Sequence, residues 1–144
     1  MILISHRGNV KGPRPGLENN PDYITKAVEM GFQVEIDVWR VEDTLYLGHD
    51  APEYKIRESF LMNDNFWCHA KNLEALSWLL ANGPKCFWHE NDDFTLTSTN
   101  RIWTYPNKQV EQDSIIVCKN YEDTVKSSKL QIFGICSDFV GDLR

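Results

Sequence analysis

The sequence has no cluster of basic residues and no long apolar run. Its 15 lysines and arginines are outnumbered by 21 aspartates and glutamates, which gives a formal net charge of −6. Proteins that bind nucleic acid non-specifically hold its phosphates with clustered Lys and Arg, so this composition argues against nucleic acid as a partner. No segment approaches the ~20 consecutive apolar residues that cross a bilayer, and we therefore predict no membrane span.

The N-terminal residues also lack the features of a secretory leader. The apolar run at the start ends at Ile4, before Ser5 and His6, and no basic segment precedes it. A signal peptide has a longer apolar region and a basic lead. We therefore predict that residues 1–5 form the first strand and that the protein is cytoplasmic.

Cysteine occurs without the C-x-x-C spacing that is typical of structural zinc sites. The four cysteines lie inside or beside apolar, strand-like runs, at Cys68, Cys86, Cys118 and Cys136. A buried free cysteine behaves as a small apolar residue, and disulfides are rare in reducing compartments. We therefore expect reduced cysteines in the core.

The chain of 144 residues predicts one domain, residues 1–144, in which strands and helices alternate. Strands are expected at 1–5, 33–38, 65–70, 85–88, 101–104, 114–118 and 131–136, with an eighth as an option at 94–97. Residues 39–48 have the pattern of a small hairpin. Helices are expected at 21–30 and 73–81 and, more weakly, at 120–129; the second would bury Leu73, Leu76, Leu79 and Leu80.

The segment 33–38 places two carboxylates on one face of a strand. Val34, Ile36 and Val38 alternate with polar residues, so Glu35 and Asp37 point the same way, roughly 7 Å apart along the strand. The pair repels itself unless a cation lies between the carboxylates. A solvent-facing edge strand is the alternative explanation.

Further polar motifs surround this segment in a fixed order. Taken together they resemble the signature of the glycerophosphodiester phosphodiesterase family, within the PI-PLC-like phosphodiesterase superfamily, which runs H-R-G, E-N, a helix, E-x-D-V and H-D. The corresponding residues here are His6-Arg7-Gly8, Glu18-Asn19, Glu35-Ile36-Asp37-Val38 and His49-Asp50. The resemblance is close over residues 1–50, fair to Lys71 and loose beyond it.

The resemblance implies a (β/α)8 barrel, which usually takes about 250 residues. The chain is much shorter, so we expect a compact, truncated TIM-like barrel of seven or eight parallel strands with reduced outer helices. A missing outer helix would expose the apolar barrel wall, which leaves room for a homodimer.

The resemblance also assigns roles to individual residues. His6 and His49 would be the catalytic acid and base, and Arg7 and Lys71 would hold the substrate phosphate. Glu18 would orient Arg7; a simple ion pair between the two is the alternative. The position of chemistry-bearing residues at predicted strand ends is independent support, because those ends form the active face of a (β/α) barrel.

The same resemblance places one divalent metal ion at Glu35 and Asp37. The family usually has a third carboxylate where this chain has His69, two residues before Lys71. Imidazole suits Mn, Co or Zn better than Mg or Ca, so the identity of the metal, Mg, Ca or Mn, stays open. The alternative for His69 is a hydrogen bond to a neighbouring loop.

These features predict a metal-dependent hydrolase of lipid metabolism that cleaves small glycerophosphodiester-like substrates to an alcohol and a phosphomonoester. A sphingomyelinase D-like lyase, which would stop at a cyclic phosphate, is a rival among enzymes. A catalytically weak phosphate-binding module is the rival from another class, favoured by the short chain and by His69.

Overall fold

The computed structural model describes residues 1–144 and contains ten strands and three α-helices. The strands are β1 (Ile2–His6), β2 (Gln33–Val41), β3 (Thr44–Leu47), β4 (Tyr54–Ile56), β5 (Phe66–Ala70), β6 (Cys86–Phe87), β7 (Phe94–Leu96), β8 (Ile102–Thr104), β9 (Ser114–Cys118) and β10 (Gly134–Ser137). The helices are α1 (Pro21–Glu29), α2 (Leu73–Asn82) and α3 (Tyr121–Ser127), and 3-10 turns cover Glu58–Met62 and Val140–Leu143. The predicted elements are therefore present, within a few residues of their expected ends.

All ten strands belong to one curled, mixed sheet. Parallel pairs link the strands in the order β6, β5, β2, β1, β10, β9 and β8. Antiparallel pairs add the hairpin β3–β4 to the end of β2 and add β7 to β8. The first and the penultimate elements of the chain, β1 and β10, are thus neighbours in the middle of the sheet.

The predicted parallel TIM-like barrel is wrong, because the sheet is a mixed half-barrel with three short helices. The chain between β6 and β8 forms β7, which runs antiparallel to β8, where a barrel would have a crossover helix. A parallel crossover with its helix takes about a dozen residues or more. The connection from Phe87 to Ile102 contains β7 and is too short to hold a helix in addition to that strand. β6 and β8 consequently form no ladder with each other.

Each helix begins at an asparagine that accepts hydrogen bonds from the first turn. Asn20 caps α1, Asn72 caps α2 and Asn120 caps α3, and each cap satisfies backbone N–H groups that have no partner inside the helix. α2 ends at Gly83, whose φ of 99° gives the left-handed turn that favours glycine. These caps fix where each helix starts relative to the strand end before it.

The core lies on both sides of the sheet. The larger cluster packs α1 and α2 on the outer face and includes Ile24, Ala27, Leu79 and the buried side of β2. A smaller cluster fills the concave side, with Ile4, Trp67, Phe87, Trp103, Ile115 and Cys136. This aromatic layer forms the floor beneath the polar side chains at the strand ends.

The predicted apolar stripe of α2 is only partly right. Leu79 is buried, but Leu73 and Leu80 are 71% and 61% exposed. Ala75 and Trp78 occupy the buried face with Leu79, because the helix crosses β5 and β6 at a different rotation from the one that the leucine spacing favoured.

All four cysteines are buried and free, as expected. Burial raises the pKa of the Cys68 and Cys136 thiols, so these thiols stay protonated and behave as small apolar groups.

None of the helices combines the length and the apolar character that a bilayer crossing requires.

Candidate functional site

The carboxyl-terminal ends of the parallel strands surround one cavity of about 700 Å³. Its wall combines charged groups at the strand ends with an aromatic floor. The lining residues are His6, Arg7, Glu35, His49, His69, Ala70, Lys71, Phe87, Trp88, His89, Glu90, Trp103, Tyr105, Val117, Cys118, Lys119 and Asp138. Several hydrogen-bonding and titratable groups therefore converge on a space large enough for a small-molecule ligand.

Strand β2 holds two buried carboxylates side by side. Glu35 is 3% exposed and Asp37 is fully buried. Burial, with the nearby charge of Asp37, raises the pKa of the Glu35 carboxyl. Burial would also raise the pKa of Asp37, but the neighbouring His69 and Arg7 outweigh it and hold that pKa well below its usual range. The pair thus keeps at least one anionic carboxylate in a buried position.

Strand β5 brings His69 against both carboxylates. His69 Nδ1 lies 3.2 Å from Asp37 Oδ1 and 3.8 Å from Glu35 Oε1. The other ring nitrogen, Nε2, lies 3.0 Å from the carbonyl oxygen of His89. A carbonyl oxygen only accepts, so Nε2 carries the proton. In neutral imidazole, Nδ1 then presents its lone pair to the carboxylates, and that arrangement requires a proton or a cation between them.

The three side chains fit a divalent cation. Ligand atoms of Glu35, Asp37 and His69 all lie within 4.8 Å of one another. Glu35 Oε2 and Asp37 Oδ1 are buried with no hydrogen-bond partner, which is costly for a buried acceptor. The His89 carbonyl fixes the tautomer of His69 in the way that outer-shell partners orient metal-binding imidazoles. We regard the group as a candidate metal centre.

The second carboxylate oxygen of Asp37, Oδ2, contacts Asn19 and Arg7. Asn19 Nδ2 donates to Asp37 Oδ2 at 2.8 Å, and Asn19 Oδ1 accepts from the Asp37 backbone N–H at 2.9 Å. Arg7 Nε lies 3.0 Å from the same Oδ2. Both Arg7 and Asn19 have positive φ, 55° and 62°, a strained conformation of the kind that clusters at functional sites.

Arg7 is also paired with Glu18, a contact that both the predicted orienting role and the simple ion pair require. Its Nη1 donates to Glu18 Oε2 at 3.2 Å. The buried Asn9 joins this pair to the next one, because its Nδ2 donates to Glu18 Oε1 and to Asp138 Oδ1, both at 2.8 Å. Asn9 is thus a positioning residue that links two walls of the cavity.

His6, at the end of β1, is paired with Asp138, which follows β10. His6 Nδ1 lies 2.9 Å from Asp138 Oδ1, and His6 Nε2 lies 3.8 Å from Glu35 Oε2. Burial lowers the pKa of His6, but the hydrogen bond to Asp138 and the charge of Glu35 outweigh burial, and the net shift is upward. With Nδ1 donating to Asp138, Nε2 faces the cavity and is free to exchange a proton.

His49 lies at the rim of the cavity and not beside His6. Its side chain is 43% exposed, and its Nδ1 lies 2.8 Å from Asp50 Oδ1. The loop is anchored to the site by Gly48, whose N–H donates to the Asp37 carbonyl at 3.2 Å. A Cβ on Gly48 would lie 2.0 Å from the Ala51 carbonyl oxygen, so only glycine fits this turn.

The structure therefore brings together seven of the eight predicted site residues, and His49 joins them at the rim of the same cavity. Lys71 belongs to the set through Asp37, since its Nζ lies 3.9 Å from Asp37 Oδ1. Three supporting residues had no predicted role, namely Asn9, Asn19 and Asp138. Asn19 belonged to a recognised motif, and Asp138 followed a predicted strand, but nothing in the sequence pointed to Asn9.

No family model, no curated protein and no solved structure matches this chain. The geometry of the site is therefore the basis for proposing a function.

Proposed function

We propose that the protein is a metal-dependent phosphodiester hydrolase that acts on glycerophosphodiester-like substrates, a short and divergent relative of the glycerophosphodiester phosphodiesterases. The observation that carries the proposal is a pair of buried carboxylate oxygens without a hydrogen-bond partner, Glu35 Oε2 and Asp37 Oδ1. Asp37 Oδ1 faces His69, and Glu35 Oε2 lies 3.8 Å from Nε2 of His6, the histidine that Asp138 orients. An ordinary buried site satisfies such oxygens with hydrogen-bond donors. Here the nearby cationic groups of His6 and Lys71 stay 3.8 and 3.9 Å away, which supports a metal ion as the partner of these oxygens.

Glu35, Asp37 and His69 would hold the metal ion. When bound, a divalent ion neutralises phosphate charge and lowers the pKa of water or a hydroxyl. Among the candidates Mg, Ca and Mn, the imidazole of His69 favours Mn. The chain's own residues bind and position the diester: Arg7 offers its Nη groups to the phosphate oxygens, and Glu18 and Asp37 hold the guanidinium in place.

Proton transfer falls to the two histidines. His6 Nε2 takes a proton from the attacking water, whose oxygen forms the new bond to phosphorus, and Asp138 stabilises the imidazolium that forms. His49, at the rim of the cavity, gives a proton to the departing alcohol oxygen as the bond from phosphorus to that oxygen breaks. The products are an alcohol and a phosphomonoester. The buried, reduced cysteines are compatible with a cytoplasmic location, which we include in the proposal.

A second candidate is a phosphate-binding module without turnover. The observation in its favour is His49, which is half exposed and bound to the solvent-facing Asp50. In that case Arg7, Lys71 and the metal would bind the anion, and no proton donor would reach the leaving group.

The test is hydrolysis of bis(p-nitrophenyl) phosphate and of glycerophosphocholine with Mg²⁺, Ca²⁺, Mn²⁺ and Co²⁺ in turn. We expect turnover that EDTA removes, and a loss of about 10²- to 10⁴-fold in His6→Ala. Phosphorus NMR of the products identifies a phosphomonoester and would reveal a cyclic phosphate if the protein were a lyase. Phosphate binding without turnover for any metal would establish the module.

A further inference from the structure

One stretch of the cavity wall, away from the two carboxylates, is aromatic and carries a single lysine. Phe87 stacks on Trp103 with ring centroids 4.2 Å apart, and His89 stacks on Tyr105 at 5.2 Å. The ammonium nitrogen of Lys119 lies 4.7 Å from the centre of the Tyr105 ring. We call these five side chains the aromatic rim, although Phe87 and Trp103 also belong to the aromatic floor described above. All five line the cavity that contains Arg7 and His69.

The cation of the aromatic rim has no anionic partner in the protein. Lys119 takes part in none of the ion pairs that the other cations form. Its one polar contact is a hydrogen bond to the Tyr105 hydroxyl oxygen at 3.0 Å. Because that oxygen accepts from Lys119, the Tyr105 O–H is left to donate elsewhere. One ammonium group and one hydroxyl donor are therefore available to a ligand at the same point.

The aromatic rim is unsuited to a cationic headgroup. Quaternary ammonium groups bind against open aromatic faces, but Lys119 already covers the Tyr105 face. Phe87 and Trp103 are 3% and 4% exposed and stack on each other. The Lys119 ammonium and the Tyr105 hydroxyl are hydrogen-bond donors that suit an anion, because hydrogen bonds to charged groups are stronger than those between neutral groups.

The aromatic rim lies within reach of a ligand bound at the metal centre. β9, which ends beside Lys119, is two strands from β1 across β10, so the two strand ends are about 10 Å apart at the usual spacing of ~4.8 Å. On the other side, the His89 carbonyl contacts His69 at 3.0 Å while the His89 ring stacks on Tyr105. A small diester can therefore touch Arg7 with one half and Lys119 with the other.

We propose that Lys119 and Tyr105 form a second anion subsite, which selects phosphodiesters whose departing alcohol carries a phosphate or a carboxylate group. The inference rests on the proposed function, which supplies the first anion site at Arg7. It goes beyond that function by stating the charge of the substrate's second half.

The experiment uses binding, which needs no turnover. Four probes share one phosphate and a four-carbon chain, and end in a hydroxyl, a carboxylate, a second phosphate or a trimethylammonium group. Dissociation constants are measured by calorimetry on the full chain with Mn²⁺ present. We expect at least one anionic probe to bind about tenfold more tightly than the hydroxyl probe, and the trimethylammonium probe to bind no better than the hydroxyl probe. The stronger of the two anionic probes identifies phosphate or carboxylate as the preferred group.

The matched variants are Lys119→Met and Lys55→Met. Lys119→Met should reduce the ratio between hydroxyl and anionic probes to about one, whereas Lys55→Met, on an exposed position of β4 outside the cavity, should keep the wild-type ratio. Tyr105→Phe, which retains the ring and loses the donor, should lower the ratio by about threefold. This variant serves the same purpose if Lys119→Met does not fold.

Two results would overturn the inference: anionic and hydroxyl probes that bind within twofold of each other, or a preference for trimethylammonium. An anion preference that persists in Lys119→Met and in Tyr105→Phe would also overturn it. Failure of the proposed function can be distinguished from failure of this inference. In the first case the protein would cleave no diester with any metal, but the four dissociation constants would still show whether the subsite prefers an anion.

Discussion

His69 is the residue at which this chain departs from the family signature described above, and its ring lies between a backbone carbonyl and two carboxylates. The His89 carbonyl holds the Nε2 proton, and Nδ1 faces Asp37 at 3.2 Å. The sequence left a metal ligand and a loop-bonded histidine as alternatives for His69. The loop bond is present, and it directs the other ring nitrogen to the carboxylates; metal binding stays a prediction.

The first prediction concerns the metal preference of His69. His69→Glu adds a third carboxylate to the cluster and should shift the preference from Mn²⁺ towards Mg²⁺ or Ca²⁺. Protons compete with metals for imidazole, so wild-type affinity should fall more steeply than that of His69→Glu between pH 7 and about pH 5.5. Metal titrations at the two pH values, with His69→Ala as the control, measure both effects. An unchanged order of affinities in all three proteins would remove His69 from the ligand set.

The second prediction concerns the loss of folding stability that ionised Glu35 causes in the absence of metal. Its pKa is raised by burial and by Asp37, which means that the folded state disfavours the charged form, and that ionised Glu35 lowers stability above its usual pKa. Glu35→Gln should therefore melt at a higher temperature than wild type at neutral pH in EDTA. The same variant should lose the rise in melting temperature that Mn²⁺ gives wild type, and about 100-fold of the activity. Equal melting temperatures in EDTA would contradict the account.

The third prediction is a pH dependence from the His6 and Asp138 pair. The pKa of His6 lies above its ordinary value of 6.5, so the stability from its charged form is complete below about pH 6.5 and is lost as the pH rises through the folded pKa. The pKa of Asp138 lies below 3.8, since the bond to His6 outweighs burial, and its contribution is present above that value and is lost in acid. The ion pair therefore stabilises the fold most between about pH 4 and pH 6.5.

Melting temperatures of wild type and Asp138→Asn in EDTA test this window. The difference between the two proteins should be largest near pH 5 and should shrink towards pH 9. Glu122→Gln, on the exposed first turn of α3, is the control and should show no such window. A constant difference across the pH range would mean that Asp138 acts only through packing.

At the scale of elements, the loop after β3 is the structure that places His49. The Gly48 N–H donates to the Asp37 carbonyl, and the Gly48 carbonyl accepts from Trp39 Nε1 at 2.6 Å. The loop is thus bonded to the same strand that carries both carboxylates.

The fourth prediction is that Gly48→Ala disturbs catalysis through this loop. A Cβ 2.0 Å from the Ala51 carbonyl forces the turn to move, and His49 moves with it. We expect turnover of glycerophosphocholine to fall by about 10- to 100-fold, with a smaller loss on bis(p-nitrophenyl) phosphate, whose leaving group needs no proton. Gly16→Ala, where a Cβ would meet no atom within 4 Å, is the matched control. Full turnover by Gly48→Ala would show that the loop does not fix His49.

Most elements, but not their arrangement, could be predicted from the sequence. Period-two alternation located β2, and the asparagine caps located α1 and α2, because these signals are local. The packing of α2 was partly wrong, since Leu73 and Leu80 fit an apolar stripe in the sequence but face solvent. Which side of a short helix is buried depends on how it crosses the sheet, and the sequence does not record that.

At the scale of the whole molecule, the clustering of the predicted site residues was easier to predict than the fold. The residues of the site follow strand ends, and parallel neighbours bring such ends together whether or not a barrel closes. The antiparallel direction of β7 could not be predicted, because a three-residue strand has no signal for direction. Asn9 was missed for a similar reason, since its four hydrogen bonds reach residues up to 129 positions away.

The pairing of β1 with β10 has a consequence for the order of folding. His6 and Asp138 are separated by 132 positions in the chain, and β10 must insert between β1 and β9 before they can meet. During synthesis His6 leaves the ribosome long before Asp138, so a nascent chain that has not yet reached Asp138 contains no His6 oriented by that carboxylate. Contacts between distant positions form slowly, and in a refolding experiment the return of turnover would coincide with this last strand insertion, not with the earlier formation of helices.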